Sequence, residues 1–257
     1  MAALLLKGVP IASVEGVLFD KDGTLSHSEP NLLDLAERRI KAGIELWGQA
    51  GDHSQCKRLE ETLRQAFGID QSTLNPGGTV AVAAREDNIL STATVFCLFG
   101  QTWTEALNLA CKCFEKVDLD LSCSRPPSPL LPDAGKVLQQ FQDAGLLNAV
   151  ISNDTSSGIR HFLEHHQISS RIASIWSADD RPRKPDPKAV DQLCQQLGLS
   201  PPQCALVGDA ESDLQMAIDA GVGCVIGYTG GWSMAPDLPS AEHLLDHWSD
   251  LGLDSDT

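Results

Sequence analysis

An apolar run with the sequence VEGVLFD occupies residues 14–20, and it ends in an acidic residue followed by Lys21, Asp22 and Gly23. A short apolar run bounded by charge and glycine is typical of a strand that is buried on both faces and followed by a turn. Runs of the same kind recur at residues 147–152, 172–177, 204–208 and 222–227. Strands that alternate with helices through short connections form a parallel sheet, so we predict an α/β fold with a doubly wound, Rossmann-like sheet.

The segment at residues 29–125 follows a different pattern. Helical periodicity runs through residues 30–49, 55–67, 80–98 and 103–117 without convincing strand alternation. A Pro-rich link lies at residues 125–132, and strands and helices alternate after it. We expect an α/β core formed by residues 1–28 and 126–257, with an α-helical cap domain inserted at residues 29–125. In the core we predict helices over residues 133–144, 156–166, 186–197, 210–220 and 241–251.

Composition bounds the possible partners and the cellular compartment. The formal net charge is -16, from 19 basic and 35 acidic residues, which argues against nucleic-acid binding and against anionic membrane surfaces. The eight cysteines include no CxxC pair, so we expect reduced thiols in a cytoplasmic protein. No apolar run approaches the roughly 18 residues of a transmembrane helix, and the leucines near the start are too few for a signal peptide.

Polar side chains follow the predicted strands. They are Asp20 and Asp22 after the first, Ser152 after the second, Lys184 in the loop after the third, and Asp209 and Asp213 after the fourth. Each has an ordinary interpretation by itself, as a turn residue, a helix cap or a surface lysine. Because ligands of parallel sheets bind beyond the carboxyl ends of the strands, their joint placement favours a single site.

The same residues resemble the motifs of the haloacid dehalogenase superfamily. FDKDGTL at residues 19–25 is similar to the first motif, DxDGT, and residues 151–153, 184–185 and 208–213 resemble the second, third and fourth. All four occur in the family's order, and residues 29–131 fall where this family inserts a helical cap. The resemblance implies a Mg²⁺-dependent phosphatase that acts on a small phosphorylated metabolite through a phospho-aspartyl intermediate on Asp20.

The resemblance also implies a role for each matching residue. Asp20 is the expected nucleophile, Asp22 the general acid and base, and Lys184 the group that holds Asp20 and the phosphate. The expected phosphate ligands are Thr24, Ser152 and Asn153. The expected metal ligands are Asp20, Asp22 through its backbone carbonyl, Asp209, and Asp213 through water or by orienting Asp209.

Elementary electrostatics supports a metal at such a site. Hydrolysis of a phosphate monoester needs acceleration of up to ~10²¹-fold, and a carboxylate nucleophile divides the reaction into two easier displacements. Two like charges 4 Å apart repel by on the order of 4 kcal/mol at an effective dielectric constant of 20, so several carboxylates beside a phosphate dianion need a cation. We expect Mg²⁺, because the candidate ligands are all oxygen atoms.

Three other functions use similar residues. A dehalogenase needs the nucleophile but neither the second acid nor the metal, so Asp22, Asp209 and Asp213 argue against it. A sugar-phosphate mutase shares the whole machinery and stays open as an alternative. A phospho-aspartyl receiver is about half this length and has no cap. The overall resemblance is to phosphoglycolate phosphatase-like members, which favours a small phosphorylated acid as the substrate.

Overall fold

A computed structural model describes residues 2–48, 53–121 and 126–254. The chain divides into two compact units. The α/β unit comprises Met1–Ser28 and Pro127–Thr257, and the helical unit comprises Glu29–Pro126. That the helical unit acts as a cap stays a prediction. None of the helices in the described ranges is long and apolar enough to cross a membrane.

A six-stranded sheet forms the centre of the α/β unit. Its strands are β3 (Gly16–Phe19), β6 (Leu147–Ile151), β7 (Ser174–Trp176), β8 (Cys204–Gly208), β9 (Cys224–Tyr228) and β10 (His243–Leu245). Their spatial order is β10-β9-β8-β3-β6-β7, and every neighbouring pair is parallel. The predicted fold class is therefore confirmed. The central strand β3 has β6 on one side and β8 on the other, so the ends of all three strands lie together.

Helices cover the sheet because its strands are apolar on both faces. They are α6 (Ala134–Asp143), α7 (Ser156–His165), α8 (Pro187–Leu197) and α9 (Glu211–Asp219). Successive strand side chains point to opposite faces, so Phe19 joins one apolar cluster and Leu18 joins the other. Helix α8 shows the predicted ends, since Asp186 accepts a hydrogen bond from the N–H of Lys188 and Gly198 closes the helix in the left-handed conformation.

A second, antiparallel sheet was not foreseen from the sequence. It contains β1 (Ala2–Leu6), β2 (Val9–Val14) and β11 (Leu251–Leu253) in the order β11-β1-β2. The predicted helix over residues 241–251 is wrong, because that segment forms β10, a 3₁₀ turn at Trp248–Asp250 and the start of β11. Leu245, Trp248 and Leu251 are buried at intervals of three residues, which mimics helical periodicity although strand pairing and a 3₁₀ turn place these side chains.

The helical unit contains five α-helices in its described residues. They are α1 (Glu29–Gly48), α2 (Cys56–Phe67), α3 (Thr79–Val82), α4 (Arg85–Leu98) and α5 (Trp103–Leu121). A small hairpin of β4 (Ile69–Asp70) and β5 (Thr73–Leu74) accompanies them. The end of the first predicted helix, residue 49, lies outside the described residues.

The helix predicted over residues 80–98 is interrupted. Ala83 and Ala84 are extended, which separates α3 from α4. The buried side chain of Asn88 donates hydrogen bonds to the carbonyls of Thr79, Ala83 and Ala84, at 3.0, 3.1 and 3.1 Å. These bonds satisfy carbonyls at the break, so a single amide side chain stabilises the interruption.

Asn148 offers a test of how the α/β unit is held together. Its buried amide on β6 donates to the carbonyl of Leu138 at 2.8 Å and to that of Arg171 at 3.0 Å, which ties α6 and the chain before β7 to the sheet. We expect Asn148→Ala to lower the free energy of unfolding by about 1–3 kcal/mol, because buried hydrogen bonds are lost. Urea denaturation measures the change. The exposed Gln195→Ala should change it by less than about 0.5 kcal/mol, and equal stability of the two variants would contradict the assignment.

Candidate active site

The predicted polar residues of the core gather where the parallel strands end. Asp20 follows β3, and its N–H donates to the carbonyl of Val207 in β8 at 2.9 Å. Asp209 follows β8, and Asp213 lies in the first turn of α9, which begins two residues later. All three carboxylates are buried, and each offers an oxygen within 4.8 Å of an oxygen of the others. The structure thus brings together three of the predicted metal ligands.

Lys184 bridges two of these carboxylates. Its Nζ lies 2.7 Å from Oδ1 of Asp20 and 2.8 Å from Oδ1 of Asp213, and its side chain is 5% exposed. Burial alone would lower the pKa of this ammonium, but the charges of Asp20 and Asp213 outweigh burial and raise the pKa above its usual value. Lys184 is therefore a fixed cation that sets the orientation of both acids.

The carboxylates carry more negative charge than Lys184 offsets. Burial, opposed by Lys184 and assisted by Asp213, raises the pKa of Asp20 to about 6. Burial, together with the charges of Asp20 and Asp213, raises the pKa of Asp209 well above its ordinary range. Three carboxylates and one ammonium leave an excess of two negative charges, which a divalent cation would match. Because the donor atoms are all oxygens, the residues present fit Mg²⁺.

Two hydrogen bonds fix Asp209. Thr24 donates its hydroxyl to Oδ1 at 2.6 Å, and Trp232 donates its indole N–H to Oδ2 at 2.6 Å. Thr24 is fully buried, so its hydroxyl contacts a candidate metal ligand in this structure. Sequence reasoning missed Trp232, because it lies beyond the fourth motif, on the far side of β9, and no local pattern links it to Asp209.

Asp22 has different surroundings from the other acids. Its Oδ1 accepts hydrogen bonds from Lys21 Nζ at 2.7 Å and from Ser28 Oγ at 2.5 Å. Burial would raise the pKa of Asp22, but the charge of Lys21 and the hydrogen bonds from Lys21 and Ser28 lower it. Lys21 also lies 3.1 Å from Oδ2 of Asp154, so it is a second buried cation at the site. The sequence signal for Lys21 was its position between the two motif acids.

Ser152 and Asn153 extend the site along the sheet edge. They follow β6, which pairs with β3, and the Nζ of Lys184 lies 3.4 Å from the carbonyl oxygen of Ile151. Ser152 is buried, and its Oγ accepts the N–H of Asp154 at 3.1 Å, which leaves the hydroxyl proton available for donation. Asn153 is half-buried. Both residues lie at the same edge of the sheet as Asp20.

Comparison with known proteins identifies the class to which this site belongs. Residues 14–221 match the haloacid dehalogenase-like hydrolases, and the chain belongs to that family. The phosphoglycolate phosphatase of Vibrio cholerae is 27% identical over 237 residues, which cover 89% of this chain and 93% of the relative. The predicted family and the predicted enzyme class, a phosphoric monoester hydrolase, are confirmed.

Solved structures show the same fold. A crystal structure of a predicted phosphoglycolate phosphatase from Haemophilus somnus has a TM-score of 0.64 at 21% identity, and it covers 93% of this chain and 97% of its own. A dehalogenase has a TM-score of 0.54 at 17% identity, with coverage of 93% and 96%. At these identities the likeness concerns the fold alone, so the particular reaction depends on the side chains at the sheet edge.

Lys184→Met tests the charge balance of the site without any assay of activity. Since the variant leaves Asp20 and Asp213 buried without their shared cation, the free energy of unfolding of the metal-free protein should fall by about 3–5 kcal/mol. Chemical denaturation in the presence of a chelator measures this change. The exposed Lys188→Met is the matched control and should change stability by less than about 0.5 kcal/mol. If Lys184→Met leaves the free energy of unfolding unchanged, Lys184 does not stabilise the buried pair of acids.

Proposed function

We propose that the protein is a Mg²⁺-dependent phosphatase that hydrolyses a small phosphorylated metabolite through a phospho-aspartyl intermediate on Asp20. The observation that carries this proposal is the buried set of Asp20, Asp209 and Asp213, with Lys184 bridging two of them. Its excess negative charge suits a divalent cation, and Asp20 is the residue that directly follows the central strand β3.

The first displacement begins at Asp20. A carboxylate oxygen attacks the phosphorus atom while the bond from phosphorus to the leaving oxygen breaks, and the phosphoryl group passes to Asp20. Lys184 holds Oδ1 of Asp20 at 2.7 Å, which fixes the carboxylate for attack. Asp22 donates a proton to the leaving oxygen. Its pKa is lowered in the free protein, so the negative charge of the bound substrate must raise it before the proton is delivered.

The second displacement regenerates the enzyme. Asp22, now a carboxylate, takes a proton from water, the water oxygen attacks phosphorus, and the bond from phosphorus to Asp20 breaks. Inorganic phosphate leaves, and the Asp20 carboxylate is restored. Lys21 and Ser28 both donate hydrogen bonds to Oδ1 of Asp22. They would hold the carboxyl group in the same position when it acts as the acid and when it acts as the base.

The remaining residues bind and orient. Asp20, Asp209 and the backbone carbonyl of Asp22 would hold Mg²⁺, with Asp213 acting through water or by orienting its neighbours. Bound there, the ion would offset the negative charge of the carboxylates and the phosphoryl oxygens. Ser152 and Asn153 would donate to the phosphoryl oxygens. Because the hydroxyl of Thr24 contacts Asp209, we propose that Thr24 supports this ligand in place of the direct phosphate contact predicted from the sequence.

Release of inorganic phosphate from an aryl phosphate tests the reaction. Turnover should require Mg²⁺, and Asp20→Asn should reduce it by more than about 10⁴-fold, the scale on which covalent nucleophiles contribute. Asp219→Asn, an exposed acid on α9, is the control and should retain full turnover. Activity that survives in Asp20→Asn, or in a chelator, would exclude this mechanism.

Trapping of the intermediate separates hydrolysis from phosphoryl transfer. With an aryl phosphate the leaving group needs little protonation, so Asp22→Asn should slow the second displacement more than the first, by about 10²–10⁴-fold. Labelled phosphate should then accumulate on Asp20 in this variant and decay rapidly in the wild type. A wild-type protein that keeps its label in water would favour the mutase alternative, and no label in either would contradict covalent catalysis.

For the substrate, we propose a small phosphorylated acid, with 2-phosphoglycolate first to be tested. The support is the phosphoglycolate phosphatase from Vibrio cholerae, which aligns over 89% of this chain. Ethyl phosphate is the matched comparison, because a methyl group replaces the carboxylate. Since a hydrogen bond to a charged group contributes roughly 1.5–3 kcal/mol, kcat/KM should favour phosphoglycolate by roughly 10-fold or more. Equal values of kcat/KM would mean that the carboxylate is not recognised.

A further inference from the structure

Trp232 enters the active site from a segment that none of the four motifs contains. It follows Gly230 and Gly231 after strand β9 and is 7% exposed. Its indole N–H donates to Oδ2 of Asp209 at 2.6 Å, while the hydroxyl of Thr24 holds Oδ1. The two oxygens of Asp209 are thus held by donors from two different segments, which fixes the plane of the carboxylate.

The packing around Trp232 is built for this contact. A Cβ at Gly23 would lie 2.3 Å from Nε1 of Trp232 and 2.4 Å from Oδ2 of Asp209, and Gly23 has a φ of +83°. A Cβ at Gly231 would lie 1.7 Å from the carbonyl oxygen of Gly23. Two glycines therefore let the first-motif turn and the segment before Trp232 touch backbone to backbone. This contact brings the indole within hydrogen-bonding distance of the acid.

The indole is suited to supporting a metal ligand. An indole N–H is a donor only, so it can hold a carboxylate without competing for the cation. A hydrogen bond to an ionised acceptor is stronger than one between neutral groups. Partners that orient a metal ligand in this way contribute about 10–100-fold to metal affinity or activity.

We propose that Trp232 is a positioning residue, whose indole N–H fixes Asp209 in the orientation that binds the divalent cation. This inference rests on the proposed function, since it requires that Asp209 bind Mg²⁺. Trp232 acts through Asp209, and its role differs from that of the indoles of Trp176 and Trp248. Those two donate to backbone carbonyls, of Pro182 at 2.8 Å and of Thr24 at 3.0 Å.

The test measures Mg²⁺ affinity by calorimetry in the absence of substrate. Trp232→Phe keeps an aromatic ring and removes the N–H, and it should weaken Mg²⁺ binding about 10-fold or more. Trp176→Phe is the matched control, because a buried indole loses a bond of similar length to a backbone carbonyl; its Mg²⁺ affinity should equal that of the wild type. Raising the Mg²⁺ concentration should restore phosphatase turnover in Trp232→Phe.

Three results would overturn the inference, and they differ from one another. Unchanged Mg²⁺ affinity in Trp232→Phe would show that the bond does not position Asp209. Equal weakening in both variants would indicate general damage to the fold. Absence of Mg²⁺ binding by the wild type would remove the metal from the proposed function as well. If Trp232→Phe does not fold, replacement of Trp232 by benzothienylalanine, an isostere without the N–H, gives the same comparison with the shape of the ring retained.

Discussion

The attraction between Lys184 and the carboxylates of Asp20 and Asp213 is the interaction around which the active-site edge is arranged. Taking ions out of water costs several kcal/mol each, and close pairing offsets that cost only when the geometry is good. The Nζ of Lys184 meets this condition, because it lies 2.7 Å from Oδ1 of Asp20 and 2.8 Å from Oδ1 of Asp213. The hydrogen bonds to Asp209 from Thr24 and Trp232 come from neutral donors instead. The raised pKa values of Asp20 and Asp209 reflect the same imbalance. In the proposed mechanism, catalysis would therefore depend on the same set of charges as stability.

These acids can come together only because two segments of the chain approach each other closely at each of two glycines. At the end of β8, a Cβ on Gly208 would lie 2.8 Å from the Cβ of Asp213, so glycine there allows the first turn of α9 to approach the strand. Gly23 has the same function in the turn after Asp20, where it admits the indole of Trp232. The glycines beside the acids of the first and fourth motifs are thus explained by close packing, whereas the acids themselves are explained by their charge.

The sequence predicted the parts of the structure that local pattern controls. Buried parallel strands are apolar on both faces and end in polar residues, so the sheet and the convergence of Asp20, Asp209 and Lys184 could be foreseen. Contacts between distant segments could not. Strand β11 pairs with β1 across nearly the whole chain, and Trp232 reaches Asp209 because of backbone packing between two glycines. The hydrophobic pattern of the intervening residues predicts neither contact.

The net charge of -16 disfavours the binding of an anion such as phosphate, and the acidic residues of the site add to this repulsion. Lys184 is shared by Asp20 and Asp213, and Lys21 is shared by Asp22 and Asp154, so both buried ammonium groups at the sheet edge already have acidic partners. Neither lysine can offer an unopposed positive charge to a phosphate dianion. In the proposed mechanism, attraction of the phosphate would then come from a bound cation and from neutral donors such as the hydroxyl of Ser152. Under the proposed function, phosphate binding would depend on the metal, since the excess negative charge of the carboxylates alone repels a phosphate dianion.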